Sequence, residues 1–320
     1  MTKKKANLLI LLVAVIFGSY FIIMKMLSNQ DFSPASILLF RSIIFLAAAA
    51  VFMGKGILKW NRTEILIGSL IGVINFSGYF LQALGSKYTT PSNNAFLTCL
   101  NTLFVPLFAW SIYKKRPSKK IYIALPVALA GMALLTNIFT SFRIGTGDIF
   151  SFLCAIVFAA VIVLLGNTGQ KIDFKKLVFI MALWQTIGGL VMFGALDGFA
   201  LPKINWLIFV LSFLFLGIIC SFLTTVLQVY AQKYTSETST VMLLALQSVF
   251  AAVMSTAIGY DTFSLSLLFG GLLIILAVMF LIVDFSAFKP KPKELDMAVP
   301  TTDISINNNF DNNKTEENIQ

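Results

Sequence analysis

Ten apolar runs, each near the length needed to cross a hydrocarbon core of about 30 Å, follow one another along this chain. They are Ala6–Met24, Ile37–Met53, Ile65–Gly85, Ala95–Tyr113, Ile121–Asn137, Ile149–Gly166, Leu177–Leu196, Trp206–Ala231, Thr240–Tyr260 and Ser264–Val283. Lipid offers the backbone no hydrogen-bond partner, and a helix is the form that satisfies every N–H and C=O within one segment. Composition agrees. Residues are 58% hydrophobic and 12% charged, against about a quarter charged in a soluble domain, so the chain cannot cover a water-facing surface. Lys3, Lys4 and Lys5 before the first run resemble a secretory signal, but the run is long and continues into Lys25 without a small-residue cleavage pattern. It is read as an uncleaved first helix.

Charge sets the orientation. With the N-terminus in the cytoplasm, inside segments hold 18 Lys and Arg, against Lys87, Arg143 and Lys203 outside. That bias obeys the positive-inside rule for ten spans with both termini cytoplasmic. The net charge of +10 is therefore a matter of topology, and no basic face exists that could track nucleic-acid phosphates. Histidine is absent, and Cys99, Cys154 and Cys220 sit singly in apolar runs. Metal ligation, a disulfide framework and Cys–His catalysis lack their raw material, so neither an enzyme nor a cofactor is expected. Every Asp and Glu falls in a loop, at a helix end or in the polar C-terminal segment. Without an intramembrane carboxylate or histidine as relay, facilitated diffusion or exchange is expected over proton coupling. Residues 287–320, rich in Asn, Thr, Asp, Glu and Lys, read as a disordered cytoplasmic tail.

The chain also repeats itself. Shifted by 146 residues, Leu81–Phe104 lies on Leu227–Phe250 without a gap, with eight identities in 24 positions. They include the polar pattern LQ-x4-KYT, which shared hydrophobicity does not explain. A shift of 141 aligns Ala14 and Phe17 with Ala155 and Phe158. The unit therefore spans five helices, and because five is odd the second copy must enter the membrane the other way round. The expected fold is all-α and integral to the membrane: ten transmembrane helices as two inverted five-helix repeats, residues 1–140 and 141–286. Secondary transporters of this architecture bind substrate near the midplane, at the repeat interface.

Five fragments carry a resemblance. They are FGSYFIIMK (17–25), LLFRSIIF (38–45), LQALGSKYTTPSNNAFLTCLNTLFVPLFA (81–109), GDIFSFLCAIVFA (147–159) and LQVYAQKYTSETSTVMLLALQSVFAAV (227–253). In that order and spacing the chain, over residues 6 to 284, resembles the EamA family of the drug/metabolite transporter superfamily. The resemblance implies a ten-helix carrier of amino acids or other small metabolites, often an exporter. Two places depart from the family pattern. Gln247-Ser248 stands where Glu-Pro is common, and Tyr113-Lys114 and Tyr260-Asp261 stand where Gly-Glu is common.

Polar side chains inside the spans are the candidate site, because hydrocarbon penalises each one that lacks a partner or a wet cavity. Asn75, Tyr79 and Gln82 share a helix face by their i, i+4, i+7 spacing, and Ser221, Thr225 and Gln228 repeat it 146 residues on. Asn94, Thr98 and Asn101 share another face, with Thr240 and Gln247 as their counterparts. The expected substrate-binding set is Asn75, Tyr79, Asn101, Ser221, Gln247, Arg41, Trp184 and Gln185, suited to a zwitterion or an uncharged polar solute. Each polar residue has a plain alternative, a helix-to-helix hydrogen bond. Arg41 in particular could face a substrate carboxylate, Asp31 or backbone carbonyls, and Lys25 could snorkel to the interface. The expected partners are a small-molecule substrate and the lipid bilayer of a cell (inner or plasma) membrane, with a homodimer also open and no nucleic acid. The rivals are a carrier of nucleotide-type or phosphorylated metabolites, and a channel or scaffold.

Overall fold

In the computed structural model the described residues are 1–54, 60–114, 116, 119–135, 145–202 and 205–282. All regular structure among them is helical. In chain order the helices are α1 (Lys3–Ser28), α2 (Pro34–Met53), α3 (Arg62–Tyr88), α4 (Pro91–Thr98), α5 (Asn101–Tyr113), α6 (Ile121–Leu135), α7 (Thr146–Gly166), α8 (Phe174–Asp197), α9 (Trp206–Leu214), α10 (Thr224–Ala231), α11 (Glu237–Ile258) and α12 (Leu265–Ile282). A π-helical segment, Phe215–Leu223, joins α9 to α10. Eight spans are long and apolar enough to cross a membrane, counting α4–α5 and α9–α10 as one each. Two shorter apolar stretches, Ile121–Gly131 and Leu265–Ala277, lie in α6 and α12. The 140/141 boundary and the tail at 287–320 lie outside the described residues, as do Arg143 and Lys203 of the charge count.

Local chemistry sets the helix ends. Ser33 caps α2 ahead of Pro34, and Thr90 caps α4 ahead of Pro91. Proline suits this place because the first helical N–H has no intrahelical partner. Asn61 and Glu64 form a reciprocal capping box on α3, and the Asp173 carboxylate accepts from two backbone N–H groups at the start of α8. Gly198 and Gly259 end α8 and α11 at φ of 55° and 86°, a left-handed conformation that glycine adopts without Cβ strain.

The fourth span departs from the continuous helix expected over Ala95–Tyr113. It breaks at Cys99–Leu100, where Leu100 bonds Leu97 and Thr102 bonds Cys99 in tightened i→i+3 turns. Pro106 lies just downstream. A proline ring crowds the carbonyl four residues before it, here Thr102, and the tightened turns occupy that stretch.

The two halves of the chain interleave. The most extensive helix pairs are α3 with α7, α2 with α8, α1 with α11 and α6 with α12, and each joins one half to the other. Cys99 Sγ lies 3.5 Å from the carbonyl of Ala245, its own counterpart under the 146-residue shift. Thr89 Oγ1 donates to Asp148 at 3.0 Å, and Thr235 Oγ1 donates to Asn7 at 2.8 Å. These two bonds are related by the same pair of shifts that align the halves.

Small residues permit this closeness, as is usual where lipid removes the ordinary hydrophobic drive between helices. A Cβ built on Gly18 of α1 would stand 2.5 Å from Phe250 Cβ, and one on Gly78 of α3 would stand 2.6 Å from the Phe158 ring. Gly18→Leu is therefore expected to destabilise the fold by about 1–3 kcal/mol through overpacking, seen as a lower unfolding temperature in detergent. Gly271→Ala, whose Cβ would meet nothing within 4 Å, serves as the unperturbed control.

Candidate functional site: a cavity between the two halves

A small cavity of about 50 Å³ lies where α1, α3, α7, α10 and α11 converge. That is well below the roughly 300–1,000 Å³ of an ordinary small-molecule pocket, so admitting a solute requires the walls to move apart. Its polar wall comes from both halves of the sequence: Asn75, Tyr79 and Gln82 from α3, Asn101 from the start of α5, Thr225 and Gln228 from α10, and Gln247 from α11. Phe17, Phe21 and Phe158 supply much of the rest. Asn75 stands at the middle of α3 and Gln247 at the middle of α11, while the helix break puts Asn101 at mid-span in the fourth. Among the described residues, no charged side chain lines the cavity.

Several wall groups are chemically unspent. Gln82 Oε1, Asn101 Oδ1 and the Tyr20 hydroxyl are buried without a hydrogen-bond partner. A buried polar atom in that state costs about 1–3 kcal/mol, a penalty that a bound polar solute relieves. Gln247 Nε2 reaches only a weak acceptor, Cys99 Sγ, at 3.8 Å.

Behind this wall lies Arg41, fully buried on α2. Its Nη2 donates to Gln185 Oε1 at 2.9 Å, and Gln185 Nε2 donates in turn to Asn75 Oδ1 at 2.7 Å. The guanidinium carbon lies 4.1 Å from the centroid of the Tyr79 ring and 5.5 Å from that of Tyr20. Such contacts are worth about 2 kcal/mol or more where water is excluded. Nε and Nη1 have no partner. Asp31 does not pair with it, and among the described residues no carboxylate does.

Of the expected binding residues, Asn75, Tyr79, Asn101 and Gln247 line the cavity. Arg41 and Gln185 stand one layer behind it and connect to it through Asn75. Two of the expected residues stand away from this cavity. Ser221 does not reach the cavity: its hydroxyl donates to the carbonyl of Leu216, five residues back, at 2.7 Å. It sits in the π-helical segment, whose wider turn breaks the helical spacing that put Ser221 on one face with Thr225 and Gln228. Trp184 also lies elsewhere. It packs against α3, where a Cβ on Gly72 would meet its ring at 2.9 Å, while its neighbour Gln185 faces inward.

Asn94 and Thr98 serve packing. Asn94 Nδ2 donates to Gln82 O and Ser86 Oγ, and its Oδ1 accepts from Ser151 at 2.9 Å. Lys25 donates to the carbonyls of Ser86 and Thr89 at the end of α3, where the negative end of the helix dipole favours a cation. Tyr20 is a wall residue that the sequence reading missed. Its one signal was a polar-tipped aromatic in the first run.

A model of the EamA-like transporter family matches residues 4–137 and again 145–283. The chain belongs to the EamA-like transporter family. As a family member it is a multi-pass membrane protein, in keeping with its apolar helices. Two uncharacterized transporters of Archaeoglobus fulgidus are similar to this EamA-family chain. One is 29% identical over 278 residues, covering 86% of this chain and 84% of its own. The other is 27% identical over 261 residues, covering 78% and 88%. The uncharacterized transporter YyaM of Bacillus subtilis is 31% identical over 113 residues, covering 32% of this chain and 35% of its own. A solved crystal structure covers 90% of this chain and 99% of its own, with a TM-score of 0.69 at 17% identity, a likeness of fold.

The Gln185 relay has a measurable consequence. Gln185→Leu removes the amide acceptor of Arg41 and the donor to Asn75, so a loss of about 1–3 kcal/mol is expected. Ser221→Ala is expected to leave ligand binding unchanged, because its hydroxyl serves its own helix. Thermal unfolding in detergent and ligand titration check the pair.

Proposed function

We infer that this protein is a secondary transporter that moves a small metabolite across a cell membrane by alternating access, as exporter or exchanger. The observation that carries the reading is the cavity itself, whose polar wall is drawn from both halves of the sequence at mid-helix. The family supports transport, and the interleaved halves with their shift-related contacts support two inverted repeats, residues 1–140 and 141–286. Ten spans with cytoplasmic termini fit the charge bias once α6 and α12 are counted as short spans. Proton coupling is disfavoured because the cavity wall offers no carboxylate or histidine.

Counterflow in proteoliposomes tests this. Vesicles preloaded with a panel of unlabelled metabolites are expected to accumulate one labelled class saturably. Asn101→Leu and Gln247→Leu are each expected to reduce the rate about tenfold or more, since each removes polar groups at the wall. Flux that neither saturates nor accelerates with preloading would mark a channel. Counterflow that survives both substitutions would move the site elsewhere.

A further inference from the structure

We propose that the transported solute is a monoanion, a small organic carboxylate with an apolar or aromatic body, and that Arg41 is its countercharge. This deepens the transporter reading and rests on it. Arg41 is fully buried in a chain that spans a membrane, and among the described residues no Asp or Glu ion-pairs with it. Gln185, Tyr20 and Tyr79 are neutral, and Nε and Nη1 are left without a hydrogen bond. Buried cations in membranes are normally paired. Among the described residues the protein supplies it with dipoles and ring faces but no anion.

The uncompensated charge reaches the cavity through two routes. Tyr79 and Tyr20 stack on the guanidinium and also form cavity wall. Gln185 links it to Asn75, so the charge polarises a wall amide. A positive charge one side chain away, in a low-dielectric setting, favours an anion over a neutral solute of the same shape. It also disfavours an ammonium, for which the wall has no carboxylate. A zwitterion gains at one end and loses at the other. A single cation matches a single negative charge, which sets phosphorylated dianions aside. The rings of Phe17, Phe21 and Phe158 favour an apolar body on the same solute.

Binding to the purified full-length protein in detergent tests the charge preference apart from transport. The probes share one body and differ in head group: 3-phenylpropionate, 3-phenylpropionamide, phenethylamine and zwitterionic phenylalanine. Wild type is expected to bind the carboxylate at least about tenfold more tightly than the amide, the amine and the zwitterion. Arg41→Gln is expected to bring carboxylate affinity down to that of the amide while amide affinity holds, and Arg41→Lys to keep part of the preference. Equal binding of carboxylate and amide by wild type, tighter binding of the amine or the zwitterion, or no binding of the carboxylate overturns the proposal without any variant. So does a carboxylate preference unchanged in folded Arg41→Gln. A carboxylate preference without counterflow leaves the charge assignment standing and sinks the carrier reading. Counterflow of a zwitterion with no carboxylate preference does the reverse.

Discussion

A guanidinium sealed inside an apolar bundle is the constraint around which the interior is arranged. Desolvating a charge costs several kcal/mol even after relaxation, so Arg41 on α2 must gather whatever partners the neighbouring helices provide. Tyr20 comes from α1, Tyr79 from α3 and Gln185 from α8. Gln185 then bonds Asn75 on α3. Four helices from the two halves of the chain are thus tied to one cation, and the groups that tie them also form or adjoin the cavity wall.

Around that centre, contacts near the helix ends join elements distant in sequence. Lys176 on α8 pairs with Glu64 on α3 at 2.6 Å. The Asp261 carboxylate accepts from Ser92 Oγ and Ser255 Oγ, each at 2.5 Å, and Ser33 donates to Asp197. The Lys176 and Glu64 side chains are mostly buried, 18% and 17% exposed. The glycine contacts at Gly18 and Gly78 act differently: they lock neighbouring helices at fixed separation.

Most of the fold was legible in the sequence because lipid leaves few options: an apolar run of span length becomes a helix. Mid-span amides were legible for the same reason, and Asn75, Asn101 and Gln247 do line the cavity. Two departures from the expected geometry come from the assumption of unbroken α-helical spacing. Ser221 lies in a π-helical segment whose turn is wider, and the fourth span tightens at Cys99–Leu100 ahead of Pro106. Trp184 and Gln185 are adjacent, and one helix cannot aim both inward. The role of the Phe wall was hidden by abundance. Phe occurs 31 times, and nothing in a single sequence separates a cavity phenylalanine from one that faces lipid.

Alternating access requires one cavity between the interleaved halves, reached from one face of the membrane at a time. Its most direct test is cysteine accessibility at Asn101→Cys and Gln247→Cys in sealed, oriented vesicles, with a membrane-impermeant thiol reagent applied to each side in turn. The native Cys99, Cys154 and Cys220 are all buried, so wild type sets the background. Labelling of both positions from the same side, shifting together towards the other side when substrate is present, is the result expected. Simultaneous labelling from both sides would mean a continuous pore, and labelling from neither would mean that these residues line no accessible path.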